Sequence, residues 1–388
     1  MPRWTVQLEG GPRRVNHAAI SAGHKIFSFG GYCTGEDYEH TKPIDVHVLN
    51  TVSLRWRLLP AVGQEEEANV PYQRYGHTAV NYNDCAYIWG GRNDTDGACG
   101  ILFCFDTESY TWSRPPVNGE PPPARDGHSA CVLDQKMFIF GGYEEVSDLF
   151  SDRIFTLDFT NFCWEYVRTK GTPAKWRDFH TATAIGSKMY VFGGRSDEGG
   201  EMFTNREIYC NKMHVYDTDT NSWSTLPSPP GVKPTGRRSH STFEYNGCLY
   251  VFGGYNGLLD HHFHDLYTYD PETRKWSMVL PVGKGPSARR RQCCCVVGSK
   301  VYLFGGTSPR EPPPNQRTFR NRQERMAASE LIDHADLHVL DFNPSLKILC
   351  LLVVIEHNLE RVLLPHDLRW ELEAMTKNNT ISRSLTNG

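Results

Sequence analysis

Short apolar runs closed by a glycine pair recur along most of the chain. Ile26 to Phe29, Ala86 to Trp89, Met137 to Phe140, Met189 to Phe192, Leu249 to Phe252 and Val301 to Phe304 are each followed directly by Gly-Gly. The doublets begin at Gly30, Gly90, Gly141, Gly193, Gly253 and Gly305, at intervals of 60, 51, 52, 60 and 52 residues. Four apolar residues bounded by a turn signal are too few for a helix and predict a buried strand that ends in a sharp turn. Polar positions keep register with these runs. Arg-x-x-His stands upstream at Arg14/His17, Arg74/His77, Arg125/His128, Arg177/His180 and Arg237/His240, with Arg289/Gln292 as the departure, and opens a preceding strand. Downstream, an Asp or Asn lies six residues before a Trp at Asn50/Trp56, Asp106/Trp112, Asp158/Trp164, Asp217/Trp223 and Asp270/Trp276. Those marks predict the third and fourth strands of each unit.

Three marks in fixed order across six units resemble the kelch repeat, whose unit of about 50 residues is one four-stranded propeller blade. The resemblance covers residues 1–343. The sixth unit departs from it, because Lys347 stands six residues after Asp341 where the other units have Trp. Trp4 opens an extended segment to Leu8, ten residues before Arg14, and supplies the missing residue. The N-terminal strand is thus expected to complete the sixth blade, which removes the exposed edges a linear stack would leave. The fold class expected is all-β, a six-bladed kelch β-propeller closed by its N-terminal strand. Residues 308–329, with Pro312-Pro313-Pro314 followed by Arg317, Arg320, Arg322 and Arg325, fall outside the pattern. They predict a loop inserted in the sixth blade.

Composition mainly excludes. The longest unbroken apolar run, Ile348 to Ile355, is eight residues, far short of the roughly 20 that a membrane helix needs. The opening Met1-Pro2-Arg3-Trp4 lacks the pattern of a secretory signal, so a cytoplasmic and also nuclear location is expected. A net charge of -4 gives no general footprint for nucleic acid. The 12 cysteines form no pair of zinc modules, and in this setting they are expected to be reduced. The repeated His, Trp and Gly residues are read as framework, with Trp packing blade on blade. His261-His262-x-His264 is the best local metal candidate, yet it lacks a fourth ligand. No metal, no cofactor and no catalytic residue are expected.

Beyond Asp341 the period changes from strand to helix. Asn343-Pro344 offers an N-cap and a first-turn proline, and Leu346, Cys350 and Val354 recur at every fourth residue on one helical face. Leu364, Leu368 and Leu372 repeat that spacing, with Pro365 at the start. Residues 344–376 are therefore expected to form two helices and residues 377–388 a flexible tail. Ser345, Leu346, Cys350 and Val354 resemble the BC box that binds elongin C. Leu364, Pro365, Leu368 and Leu372 resemble a cullin-2 box; a cullin-5 box would carry a second proline where Asp367 stands. With the ring ahead of them, these motifs make the chain similar to the kelch substrate receptors of cullin-2 RING ubiquitin ligases. Arg3 to Val6, Arg125 to Cys131 and Arg289 to Cys295 carry a closer likeness to receptors related to those that read C-terminal glycine degrons. The resemblance implies elongin C with elongin B, cullin-2 with its RING subunit, and substrate proteins ending in glycine as partners. It implies a non-catalytic receptor that presents targets for ubiquitination and proteasomal degradation.

A peptide end needs a pocket. Antiparallel pairing sets the start of a first strand beside the end of the second, so the Arg-x-x-His loops and the residues after Gly-Gly share one face. Arg92, Tyr143, Arg195 and Tyr255 follow doublets, while Arg238, Ser239, Arg290 and Arg291 interrupt the repeat upstream. The first Arg of each motif recurs in every unit and is discounted as structural. A carboxylate suits the planar fork of Arg, and the resemblance points to Arg195 and Ser239, beside Arg238, as its clamp. Tyr143 and Tyr255 are expected to wall the preceding residues. Terminal Gly would be selected where any Cβ clashes with the pocket floor. The chain itself ends in Gly388, which suggests self-occupancy of that pocket. The competing reading is a kelch scaffold that binds a folded partner or actin without ligase activity.

Overall fold

The computed structural model describes residues 1–36, 40–61, 68–227, 231–310 and 331–381. The expected blade-six insertion falls mostly on 311–330 and Gly388 on 382–388, both outside the described residues. Six sheets, each built on four antiparallel strands, follow one another over residues 18–58, 75–113, 129–167, 181–225, 241–279 and 293–341. They are numbered sheets 1 to 6 in that order. The outermost strand of sheet 6 is Arg3–Leu8, which pairs antiparallel with Leu337–Asp341 and sets Trp4 opposite Leu340. The arrangement is propeller-like, mostly β, with two short helices at the C-terminal end.

The second strand of each sheet reads as a continuous apolar run because both of its faces are covered. In Lys188–Phe192, Met189 and Val191 pack with Cys131, Phe138 and Phe140 of sheet 3. Tyr190 and Phe192, one residue out of phase, pack with Leu249 and Val251 of sheet 5. Each Trp then bridges to the sheet before it. Trp112 lies 6.0 Å from Phe29, Trp164 5.9 Å from Trp89, Trp223 5.1 Å from Phe140 and Trp276 5.1 Å from Phe192. Trp56 of sheet 1 meets Phe304 of sheet 6 at 4.9 Å, and Trp4 meets Phe252 of sheet 5 at 6.4 Å. Trp4 therefore occupies the place of the missing repeat tryptophan.

The histidines are framework as well. His128 sets Nε2 2.8 Å from the Thr78 hydroxyl of the preceding sheet, His180 2.7 Å from Ser129, and His240 2.9 Å from Thr181. Between each motif Arg and its His or Gln, the third motif position closes a circuit of backbone hydrogen bonds. Gly76 N–H donates to Asn16 (3.0 Å), Gly127 to Gly76 (2.9 Å), Phe179 to Gly127 (2.7 Å), Ser239 to Phe179 (2.8 Å), Arg291 to Ser239 (2.8 Å) and Asn16 to Arg291 (3.2 Å). All six residues hold φ between 49° and 68°, although only two are glycine. The strain of a left-handed Phe179 or Arg291 is offset by that shared circuit. Glycine is required instead at the doublets. A Cβ on Gly193 would lie 2.6 Å from the Arg237 carbonyl, so sheet 5 could not approach.

Helix α1 (Leu346–Glu356) and helix α2 (His366–Thr376) lie against sheets 1 and 6. Leu351, Leu352, Leu372 and Met375 join a buried cluster with Leu8, Leu49, Leu54 and Leu337. Each fully buried Leu contributes about 1.5–3 kcal/mol to that docking. Three expectations need correction here. The cap of α1 is Ser345, whose hydroxyl accepts from Ile348 N–H, and not Asn343 ahead of Pro344; the Asn343 N–H instead donates to Asp341 Oδ1 at 2.9 Å. Leu364 precedes α2 rather than lying within it. Residues 377–381 are no loose tail, since Asn379 N–H donates to the Glu9 carbonyl at 2.8 Å and its amide oxygen accepts from Trp56 N–H at 3.1 Å.

Candidate functional site

Each sheet presents two variable residues side by side on one face of the ring. The second residue of the Arg-x-x-His motif pairs with the residue after Gly-Gly. The pairs are Val15/Tyr32, Asp178/Arg195, Arg238/Tyr255 and Arg290/Thr307 as isolated bridges, with Tyr75/Arg92 inside the long strands Tyr75–Tyr82 and Cys85–Asn93 and Asp126/Tyr143 inside short ones. The expected common face therefore forms, and all eight nominated residues lie on or beside it. At its centre a funnel of about 120 Å³ is lined by Asn16, Gly76, Gly127, Phe179, Ser239 and Arg291. A neighbouring cleft of about 260 Å³ lies over sheets 1 and 2, lined by Tyr32, Tyr75, Asn93, Asp94, Phe179 and Arg291.

The first-position arginines are bound into the frame. Arg74, Arg125, Arg177, Arg237 and Arg289 each donate Nη1 to the first carbonyl of the adjacent Gly-Gly and Nε to the carbonyl two residues back. None of these five is more than 1% exposed. Their repetition is structural, as expected.

The face arginines divide into two groups. Arg195 forks onto Asp178, with Nε 3.1 Å from Oδ1 and Nη2 on Oδ2, and lies 3.4 Å from Glu207. Burial works against its charge, but Asp178 and Glu207 raise the guanidinium above its ordinary range. Arg92 lies 3.4 Å from Glu145, and Arg238 3.8 Å from the same Glu207. Burial would lift Glu207, yet the Tyr209 hydroxyl, Arg238 and Arg195 hold it below the usual carboxylate value. Arg290 and Arg291 have no carboxylate partner among the described residues. Arg290 stacks 4.4 Å over Tyr255, and Arg291 donates to the Tyr32 hydroxyl. Both keep a buried Nε–H without a hydrogen bond. Burial, with Arg291 and Arg238 nearby, pushes Arg290 down to about 10, the response of cations crowded together without an anion.

The tyrosines are partly committed. The Tyr143 hydroxyl donates to Asp148, and that of Tyr255 to Asp260 at 3.1 Å. Ser239 sits on the funnel wall with its backbone in the central circuit. Four residues that repeat logic passes over complete the site. Asp126, Asp178 and Glu207 make an acidic half, and Phe179 lines both the funnel and the cleft. Asp126 is pushed up to about 7 by burial and by Asp178, against Arg92 and Arg195. Asp126 and Asp178 stand at the second motif position and Phe179 at the third, whereas Glu207 lies at no repeated position.

Among the described residues no group of three or more His, Cys, Asp or Glu could hold a metal, and no helix is long and apolar enough to cross a membrane. The His262 ring lies 4.5 Å from that of Tyr255 at a tilt of 42°, while His261 packs on Phe263. At the helices, Leu346 is 77% exposed and Cys350 is exposed, whereas Val354 is half-buried against the ring. Leu372 is 0% exposed, and Leu364 and Leu368 pack on the same cluster. The first motif therefore offers a free ridge, and the second is largely spent on holding α2 in place.

Residues 76–306 match the family model of the KLHDC2/KLHL20/DRC7 Kelch-repeats domain. This chain belongs to the kelch-repeat family. Kelch domain-containing protein 3 of Bos taurus is 56% identical over 99% of both chains, and that of Homo sapiens 55% over the same share. Host cell factor 2 of Homo sapiens is 31% identical, covering 62% of this chain and 31% of its own length. The fold and these relatives make the chain a kelch scaffold of the protein-binding kind, and suggest no enzyme.

Proposed function

We propose that this kelch protein is the substrate receptor of a cullin-2/elongin B-elongin C RING ubiquitin ligase, with a closed six-bladed propeller that holds C-terminal glycine ends. The observation that carries the reading is the Arg290–Arg291 pair, two half-buried guanidinium groups with orphaned N–H donors and no carboxylate among the described residues. A terminal carboxylate is the anion that completes them, at about 1.5–3 kcal/mol per charge-assisted hydrogen bond. Arg238 supports the same anion from the next sheet. Arg195, nominated first on sequence, holds the floor by restraining Asp178 and Glu207, and Ser239 and Phe179 crowd the position where a side chain on the last residue would go. Tyr32, Tyr143 and Tyr255 line the approach. Leu346 and Cys350 present the free apolar ridge to elongin C, while Pro365 and the outer turn of α2 face cullin-2.

The test is binding of the chain, purified with elongins B and C, to peptides ending in Gly, in Gly-Ala and in amidated Gly. The expected order is free Gly well above the other two, with the preference lost in Arg291→Ala. Equal binding of all three would return the molecule to a kelch scaffold that recognises an internal motif or a folded surface.

A further inference from the structure

The first residue of the second strand is lysine in four of the six sheets, and each copy faces the last position of the third strand. Lys136 stands opposite Asp158 and reaches it at 3.7 Å, and Lys188 stands opposite Asp217 and reaches it at 3.0 Å. Lys25 faces Asn50, which carries no charge, and donates to the Tyr110 hydroxyl at 2.8 Å instead. Lys300 faces Asp341 in the same register, yet the two do not pair. Asp341 is 2% exposed, and its Oδ1 accepts from the Ser299 hydroxyl at 3.1 Å and from Asn343 N–H at 2.9 Å. The Lys300 side chain is left half-buried, its ammonium with neither an ion pair nor a hydrogen bond among the described residues.

Lys300 lines a cavity of about 540 Å³ at the junction of the ring and the helices. Both parts supply its walls. Val6, Val52 and Val297 come from sheets 1 and 6, Ile348 from α1, and Trp370 and Met375 from α2. Lys347 and Glu371 also line it, and they close on each other at 2.6 Å from one helix to the other. Of the two lysines on the wall, Lys300 alone therefore lacks an anion among the described residues. A volume of this size between two structural parts, with mostly apolar walls and few convergent polar groups, has the features of a site for a small molecule.

We infer that this cavity binds a small amphiphile, an aliphatic carboxylate whose chain lies between the helices and the ring and whose head meets Lys300. The apolar walls disfavour a multiply charged ligand such as a nucleotide, whose phosphates need more than one cation to leave water. A wholly apolar ligand would cover Lys300 and leave its charge unanswered. The carboxylate head takes in sheet 6 the part that Asp158 and Asp217 play in sheets 3 and 4. Because ring and helices share the walls, an occupied cavity ties α1 and α2 to sheets 1 and 6 and opposes their detachment. The site lies where the second strands begin, at the end away from the Gly-Gly face, so it stands apart from the receptor reading.

The experiment titrates the full chain with decanoate, kept below the concentration at which it forms micelles, and reads binding by calorimetry and amide exchange in the two helices. Decanol and decylamine serve as the uncharged and cationic analogues. Decanoate is expected to bind one per chain and to slow exchange in Leu346–Glu356 and His366–Thr376. Decanol should bind at least about tenfold more weakly, and decylamine more weakly still. Lys300→Met should bring decanoate down to the level of decanol and leave decanol unchanged. Ala374→Phe, which fills the cavity from α2, should abolish both; where that chain fails to fold, Lys300→Met decides. Decanoate binding that never saturates, or that keeps full strength in folded Ala374→Phe, lies elsewhere on the surface and overturns the site. Equal affinity for decanoate and decanol overturns the anionic head and the role given to Lys300.

Discussion

Two layers of arginine, one residue apart in sequence, behave in opposite ways. Arg289 is fixed by Asp336, Gly305 and Ser287, whereas the neighbouring Arg290 and Arg291 rest on tyrosine rings and hydroxyls with no anion among the described residues. The same contrast runs round the face. Over sheets 2 to 4 Arg92 and Arg195 are answered by carboxylates, and over sheets 6 and 1 the cations are not. A repeat position that must hold the backbone is satisfied within its own unit. A position free to vary is answered by a carboxylate at Arg92 and Arg195 and, among the described residues, by none at Arg290.

The sharpest way to break this contrast is to remove the fixed member. Arg289→Ala leaves the buried Asp336 carboxylate with only the His338 imidazole beside it, and is expected to cost about 3 kcal/mol by urea unfolding. Arg290→Ala should cost less than about 1 kcal/mol in the same assay, and similar losses for the two would erase the distinction between layers.

The seam between sheets 5 and 6 comes next. Trp4→Ala removes the ring that packs on Phe252 and His338 and should cost about 3 kcal/mol, with amide exchange rising first in Arg3–Leu8.

A pH titration separates framework from face. His17, His77 and His240 are lowered to about 3 by burial above all and by neighbouring arginines, and His128 and His180 fall well below the ordinary value. The unfolded chain therefore binds more protons below pH 6.5, so stability is full above that value and is lost as pH falls toward 3. The slope limit is about 1.4 kcal/mol per pH unit for each histidine. The denaturant midpoint should begin to drop near pH 6.5, and a midpoint flat down to pH 4.5 would contradict buried neutral imidazoles.

On the face, Arg291→Ala should weaken a peptide with a free Gly end by about tenfold or more, and Arg195→Ala by less, since its fork is already taken. A pH-dependent effect of opposite sign is expected from Asp126→Asn. Burial and Asp178 raise this carboxyl in the folded chain, so folding is opposed as pH climbs from about 4 through 7. The amide should stabilise above pH 7, leaving stability at pH 4 unchanged.

What could be read beforehand follows the same division. Gly-Gly, Arg-x-x-His and the Asp-to-Trp spacing were legible because each fixes a turn or a packing contact that every repeat needs. Trp4 was legible by arithmetic, as the one tryptophan absent from its unit. Asp126, Asp178 and Glu207 were not, because a carboxylate counts only once a neighbouring arginine is brought to it. The Leu346–Cys350–Val354 and Leu364–Leu368–Leu372 ladders looked alike, yet Leu346 is exposed and Leu372 is not. Spacing gives an apolar stripe, and docking decides which end of it stays in water.

The residue pattern alone fixes the repeat, the strand order within each unit and the structural use of its first arginines. These rest on local sterics and on contacts that recur at fixed spacing. Tertiary packing settles which cations lack an anion among the described residues, and that Asn379 ties the segment after α2 to Trp56 and Glu9. Those outcomes depend on side chains from distant segments meeting at hydrogen-bond distance, where a shift of an ångström separates a pair from an orphan.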